Sequence, residues 1–164
     1  MPGIQIREAR EADLEAVREI YNHYVVTSTC TFQTEPEAPE ERQAWLSGRG
    51  PAHPALVAEV EGAVVGWAAA SPWKARCGYS ATAEVSVYVR DGWHRRGVGR
   101  ALLAELIHRC RAAGLHTLIG GACTEHPGSI ALQESLGFVR VAHFHETGRK
   151  FGRWLDVVYL QKML

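Results

Sequence analysis

The chain has 164 residues, 46% hydrophobic and 22% charged, which fits a single domain over residues 1–164 that buries its apolar surface without disulfides or a structural metal. Eighteen Lys and Arg against eighteen Asp and Glu leave no net charge. That balance excludes the broad basic surface needed to coat duplex DNA, so no nucleic-acid partner is expected and any basic site must be local.

The N-terminal stretch is charged from Arg7 onward and holds no apolar run of signal-peptide type. The longest nearly apolar stretch, residues 63–70, falls far short of the roughly 18 residues of a membrane span, so a cytoplasmic protein with no membrane partner is expected. Residues 4–8 alternate as a strand, and 12–24 place Leu14, Val17, Ile20, Tyr21 and Tyr24 at helical spacing. Glu11 and Asp13 suit the first turn of that helix, where carboxylates meet unpaired N–H groups. Residues 39–46 read as a short helix opened by Pro39 and closed by Gly48 and Gly50. Residues 55–61 and 63–70 are β-branched apolar runs around Glu61-Gly62, a tight hairpin, and 80–89 form another strand. A helix over 97–113 carries Val98, Leu102, Leu103, Leu106 and Ile107 on one side and stops at Gly114. Residues 117–122 predict a strand, 127–136 a helix, and 138–145 and 154–160 two closing strands. The order βααβββαβαββ predicts an α/β (α+β) fold, a mixed sheet covered by helices on both faces.

Residues 83–103 carry the chemistry: a strand, a short turn and a basic glycine loop that opens a helix. A helix N-terminus leaves N–H groups unpaired, Gly97 and Gly99 let an anion approach the backbone, and Arg95, Arg96 and Arg100 add charge, so the loop is suited to phosphate. A dinucleotide loop would need glycine where Leu102 stands, and no P-loop lysine followed by Ser or Thr appears. In regular pleating Glu84, Ser86 and Tyr88 share one face and Val85, Val87 and Val89 the other, so a carboxylate looks into the cleft. Such a base can deprotonate an ammonium before it attacks an acyl carbon. Lys74 and Arg76 follow a strand and are placed on a loop at the cleft mouth, where two cations suit an anionic substrate. Cys30, Cys77, Cys110 and Cys123 form no C-x-x-C pair and are expected as reduced thiols in or near the core. His143 and His145 share a strand face, but no second pair completes a closed four-ligand set, so no metal is expected. Trp45, Trp67, Trp73, Trp93 and Trp154 are read as core or pocket walls.

The strand with His94-Arg-Arg-Gly-Val-Gly resembles the acetyl-CoA motif of GNAT-type N-acetyltransferases. Ile20-Tyr-Asn-His-Tyr, Thr31-Phe-Gln-Thr-Glu-Pro, Ser71-Pro-Trp-Lys-Ala-Arg, Glu84-Val-Ser-Val-Tyr-Val and Gly148-Arg-Lys-Phe-Gly-Arg-Trp-Leu-Asp-Val-Val-Tyr together resemble the phosphinothricin and methionine sulfoximine acetyltransferase branch. The order and spacing agree over residues 4–163.

The resemblance implies a GNAT fold, a mostly antiparallel seven-stranded sheet with about four helices, and acetyl-CoA as co-substrate. It implies that the pantetheine arm lies beside Val87, Tyr88 and Val89 where two strands splay. The pyrophosphate would rest on the loop of Arg95, Arg96, Gly97, Val98, Gly99 and Arg100, with His126 and Ser129 also on the cofactor. Glu84 would be the general base, Val87 or Tyr88 would offer a backbone N–H to the developing oxyanion, and Phe32 and Tyr79 would join Lys74 and Arg76 around a small amino-acid-like substrate. A bulge in the Glu84 strand and a homodimer are implied as well. The chain departs from the pattern at Gln133, where relatives commonly carry Tyr or His, so the thiolate either leaves unprotonated or is helped by water or Tyr88. It departs again at His94, where the loop usually opens with Gln or Arg, and at His126, near an Asn position. The implied activity is acetyl transfer from acetyl-CoA to the α-amine of a small L-amino-acid analogue by direct attack. An acetyl-CoA-binding module without useful catalysis, or an acetyltransferase for a peptide N-terminus or polyamine, are the alternatives.

Overall fold

The computed structural model describes residues 3–164; Met1 and Pro2, part of the N-terminal stretch read above, lie outside the described residues. Strand β1 (Gln5–Glu8) leads through a 3-10 turn into α1 (Leu14–Thr27), then α2 (Pro39–Ser47), β2 (Ala55–Val60) and β3 (Ala63–Pro72). After a short 3-10 turn come β4 (Thr82–Val89), α3 (Val98–Ala112), β5 (Thr117–Cys123), α4 (Pro127–Ser135), β6 (Val139–Lys150) and β7 (Arg153–Met163). The seven strands form one sheet in the order β1-β2-β3-β4-β5-β7-β6, antiparallel at every pairing except β4 with β5.

The helical stripes explain the two layers. In α1, Val17 and Ile20 are buried against Val57, Trp67 and Ala69 on one face of the sheet. In α3, Val98, Leu102, Leu103, Leu106, Ile107 and Cys110 are buried against Leu56, Ala68, Ala70 and Leu118 on the other, where Ile130 of α4 joins them. The expected mixed sheet with helices on both faces is therefore the observed one. No described helix is long and apolar enough to cross a membrane.

Four local expectations need correction. The closing strands are longer than the sequence indicates, because Phe151 and Gly152 both take positive φ (52° and 72°), the geometry of a tight two-residue hairpin that continues both strands. A bulky residue at the first turn position concealed it, whereas Glu61-Gly62, with φ of 50° and 82°, is the hairpin expected. The bulge expected in the Glu84 strand is absent from the β3–β4 ladder, whose register runs unbroken from Gly66 opposite Val89 to Pro72 opposite Ala83. Register shifts lie instead at Ala58/Glu59 in β2–β3 and within β6–β7. Among the cysteines, all free, Cys110 and Cys123 are buried and Cys30 half-buried, but Cys77 is exposed because it begins a surface 3-10 turn. Trp154 is likewise exposed rather than a wall of the core, since it faces outward beside the turn of the edge hairpin.

The corner between β1 and α1 is tied by charge. The Arg7 guanidinium donates to both carboxylate oxygens of Asp13 (2.7 and 2.8 Å) and twice to Glu59 Oε2 (2.9 and 2.7 Å), while Asp13 also accepts the Arg10 N–H at 2.8 Å. Asp13 is buried, and the Arg7 hydrogen bonds hold its carboxyl below the ordinary value. A depressed folded pKa stabilises the fold above the unfolded carboxyl value of about 3.9 and is lost as pH falls through the folded one. Asp13→Asn, which leaves Glu59 as the one carboxylate on Arg7, is expected to lower unfolding free energy by about 2 kcal/mol in urea titrations at pH 7, with the difference shrinking as pH falls below about 3.9.

Candidate active site

The parallel ladder between β4 and β5 is short. Thr82, Ala83 and Glu84 pair with Thr117, Leu118 and Ile119, and beyond Ile119 strand β5 continues only with β7. The two strands splay from Glu84 onward, and a cavity of about 930 Å³ opens between them. Glu84, Val87, Tyr88 and Val89 line one side and Gly121, Ala122 and Cys123 the other.

The ladder fixes which backbone groups face the gap. Arg90 N–H donates to Val65 at 2.8 Å and Trp73 N–H to Thr82 at 3.4 Å, which makes the even-numbered residues of β4 the ones bonded to β3. In an antiparallel pair the intervening residues turn their N–H and C=O away, so those of Val87 and Val89 point into the gap. The Tyr24 hydroxyl donates to the Val89 carbonyl. Because its single proton is used there, His94 Nε2–H must donate to Tyr24, 2.7 Å away.

At the top of the cavity the chain turns through Gly97, whose φ of 84° favours glycine, into α3. The Ala101 N–H makes a helical bond to Gly97, which leaves the amides of Val98, Gly99 and Arg100 at the open helix end beside Arg95. Gly97, Gly99, Arg95 and Arg100 line the cavity, and Arg100 is steadied by Ser135 at 2.9 Å. Arg96 instead lies over the Trp93 ring at 4.8 Å, and the Val98 side chain is buried in the core, so of these two neither side chain lines the cavity.

Glu84 occupies the vertex of the splay. Burial pushes its carboxyl above the ordinary value, partly offset by the Lys74 ammonium. Tyr88 stacks on Trp67 (ring centroids 4.9 Å apart) and meets Tyr21 edge-on at 5.2 Å, and burial raises its phenol so that it stays protonated. Lys74, Arg76 and Tyr79 lie in the β3–β4 connection and do not line the cavity; Lys74 rests 5.0 Å over Trp73, while Arg76 and Tyr79 are exposed. Phe32, His126 and Ser129 do line it.

Several lining or supporting groups escaped the sequence reading. The segment after α1 crosses the cavity as Thr29, Cys30, Thr31 and Phe32 and is clamped by the β6–β7 hairpin. The buried Lys150 ammonium donates to the carbonyls of Ser28 (2.6 Å) and Thr31 (2.8 Å) and lies 3.5 Å from that of Tyr24. Phe32 packs so closely on Gly148 that a Cβ there would overlap its ring. Thr29 donates to Glu125 at 2.8 Å, and Glu125, paired with Arg153 and held down to about 2 chiefly by it, must be the acceptor. His126 Nε2–H therefore donates to Thr29 at 2.9 Å. Gln133, buried, packs on Gly120 of β5, and its Oε1 has no hydrogen-bond partner among the described residues. The Thr31-Phe32 and Gly148–Tyr159 motifs pointed toward this clamp, but a lysine in the latter reads as solvated.

Residues 6–159 match the acetyltransferase (GNAT) domain family. The chain belongs to the GNAT acetyltransferases. It is 39% identical over 98% of its length to the L-amino acid N-acyltransferase MnaT of Escherichia coli, of which it covers 94%. It is 38% identical over 97% of its length to an L-methionine sulfoximine/L-methionine sulfone acetyltransferase of Salmonella typhimurium, again covering 94%. The crystal structure of a GNAT phosphinothricin acetyltransferase from Sinorhizobium meliloti in complex with acetyl-CoA superposes with a TM-score of 0.92 at 37% identity, over 98% of this chain and 88% of that one. The protein is thus an acetyl-CoA-dependent N-acetyltransferase, and in this family no metal takes part in the transfer. Its own features fit that co-substrate: strand amides turned into the gap suit an amide-bearing arm, and free helix amides with Arg95 and Arg100 suit phosphates.

The clamp gives a test. Lys150→Met keeps the side-chain length but leaves two carbonyls without their charged donor, worth about 2 kcal/mol of stability. A lower unfolding midpoint is expected, together with a KM for the acceptor amine that rises more than the KM for acetyl-CoA, because the loosened segment carries Phe32.

Proposed function

We propose that this GNAT domain, acting as one catalytic unit, acetylates the α-amine of a small L-amino-acid analogue of the phosphinothricin, methionine sulfoximine or methionine sulfone type. The observation that carries the reading is Glu84 at the vertex of the splay, a half-buried carboxylate at the point where the cavity begins. Acetyl-CoA, when bound, supplies an acetyl group activated as a thioester. An α-amine arrives as an ammonium, and Glu84, directly or through one water, takes the proton that blocks attack. The Val87 N–H, turned into the gap, is placed to stabilise the developing oxyanion, a role assigned to it rather than to Tyr88, whose N–H faces β3. Gln133 cannot give up a proton usefully, so Tyr88, whose phenol burial keeps protonated but makes a weaker acid, or water is the assigned donor to the leaving thiolate. Arg95, Gly97, Val98, Gly99 and Arg100, the first two and last two through cavity-lining groups, hold the phosphates, with His126 and Ser129 alongside and Arg96 adding charge at the rim.

The acceptor class rests on the names of the relatives and on local charge. Lys74 and Arg76 stand outside the cavity, and the reading gives them the carboxylate at its mouth, with Phe32 and Tyr79 against the side chain. Transfer is direct, within a ternary complex, with no acetylated protein between. Dependence on acetyl-CoA supports a cytoplasmic location. The exposed Val139, Val141, Phe144, Phe151 and Trp154 of the edge hairpin support a homodimer.

Release of CoA, followed with a thiol reagent, tests the assignment on phosphinothricin, methionine sulfoximine, methionine sulfone, a polyamine and a short peptide. The amino-acid analogues are expected to be preferred, and a peptide or polyamine preference overturns the substrate class. Because burial raises the Glu84 carboxyl, the base is lost as pH falls through a value above about 4.5, which sets the acid limb of kcat/KM. Glu84→Gln is expected to lower kcat about a hundredfold at pH 7, with part of the loss recovered at high pH as free amine accumulates. Acetylated protein that forms from acetyl-CoA alone and passes its acetyl group to the amine overturns direct transfer.

A further inference from the structure

On the sheet face that carries α3 and α4, toward the sheet's edge, β6 and β7 bring together three groups that do not line the cavity. Asp156 shares its face of β7 with Val158, which is buried on the side of α3 and α4, and His143, paired with Val158 in the ladder, and His145 meet it there from β6. His143 Nε2 lies 2.8 Å and His145 Nδ1 3.0 Å from the same carboxylate oxygen, Asp156 Oδ2. The other oxygen, Oδ1, accepts the Glu146 N–H at 2.8 Å, which fixes the carboxylate plane and leaves Oδ2 between the two rings. The imidazoles stack with centroids 4.4 Å apart, and the three potential ligand atoms all lie within 4.8 Å of one another.

We infer that His143, His145 and Asp156 form a surface binding site for a divalent first-row transition ion, with Zn²⁺ the natural probe. An N₂O donor set of two imidazoles and a carboxylate suits such an ion. At metal–ligand distances of about 2.0–2.2 Å, tetrahedral ligand atoms stand about 3.3 Å apart, so the two N···O separations need to open by only a few tenths of an ångström, and ring rotation sets the N···N separation, now within 4.8 Å. One nitrogen of each ring faces Asp156 Oδ2. Coordination needs the lone pair at that nitrogen, so in the bound state the other ring nitrogen carries the N–H, which solvent reaches because the side chains are 46% and 78% exposed. The Glu146 N–H is an outer-shell contact that orients the carboxylate. Nearby cations are engaged elsewhere: Arg153 pairs with Glu125, and Arg149 lies 5.0 Å over Trp154. With three protein ligands the ion keeps an open position for water and exchanges readily.

The position gives the ion a structural role. The β6–β7 register breaks between Phe144 and Gly148, where Glu146 takes a φ of 49°. His143 and His145 lie at that break on the edge strand, and an ion shared with Asp156 braces it to β7. Rotation of the rings about Cβ accomplishes this without moving the cavity wall.

The test uses untagged full-length protein carrying Cys77→Ser, which removes the exposed thiol as a competing ligand. Equilibrium dialysis with Zn²⁺ at neutral pH against a chromophoric chelator is expected to show one equivalent bound, and Zn²⁺ to raise the unfolding midpoint. In His143→Gln/His145→Gln, zinc affinity is expected to fall by at least about tenfold and the midpoint to lose its response to zinc. Unchanged far-UV circular dichroism and CoA-releasing activity show that the double variant is folded, and His145→Ala, altering the more exposed ring, provides the milder comparison. Zinc bound equally by parent and double variant, or no zinc bound by the parent at micromolar excess, overturns the site. Loss of acetyl transfer on chelation overturns its independence of the reaction; failure of the amine panel above leaves the zinc result untouched.

Discussion

The termination of the β4–β5 ladder at Glu84 and Ile119 is the constraint on which the site depends. A strand that leaves its neighbour exposes a row of peptide groups, and buried peptide groups without partners are costly. The protein satisfies part of that need itself, through the Tyr24 hydroxyl on the Val89 carbonyl. The remainder makes the gap a receptor for an extended, amide-bearing molecule, which binds as an added strand would. Two packing features keep the strands apart: Gly99 lies against Leu132 and Val89, and Gln133 lies on Gly120 with no room for a Cβ there. The same splay sets Glu84 at its vertex, so the groove and the carboxylate proposed as base share a single origin.

Across the gap, the clamp over the α1 C-terminus replaces ion pairing with carbonyls. Lys150 is buried, and the backbone oxygens it holds belong to the end of a helix and the segment after it, where the dipole favours positive charge. A three-donor ammonium suits this better than a planar guanidinium. His94 and His126, both departures from the family pattern, play parallel parts: each gives its Nε2–H to a hydroxyl whose own proton goes to a stronger acceptor, the Val89 carbonyl or the Glu125 carboxylate. Burial keeps His126 low, which favours the neutral tautomer this chain of bonds requires.

The architecture was legible because its periodicities are strong. The α3 stripe of Val98, Leu102, Leu103, Leu106 and Ile107 is buried throughout, and the glycine loop before it lies where the residues indicated. The losses have local causes. Phe151-Gly152 hid a hairpin turn because a large residue rarely takes positive φ. Lys74, Arg76 and Tyr79 follow a strand by sequence, yet nothing in the spacing says whether the connection folds over the cavity or away from it. Tyr24 reads as one more apolar position on α1, and Thr29 as a loop hydroxyl; their roles arise from contacts with residues 65 and 97 positions away. Such partners carry no local signature.

Gln133 bears on how the chemistry is divided. An amide at that point has no acidic proton to give, and its buried Oε1 has no donor among the described residues, so its contribution is spatial: it fills the space above Gly120. A thiolate with a pKa near that of an ordinary thiol, about 8.5, leaves with little help at neutral pH, whereas an ammonium cannot attack at all until its proton is gone. The larger demand therefore falls on the base. A carboxylate raised by burial is the stronger acceptor, and the Lys74 charge works against that rise. Lys74 thus acts on the Glu84 carboxyl through its charge while its side chain stands outside the cavity.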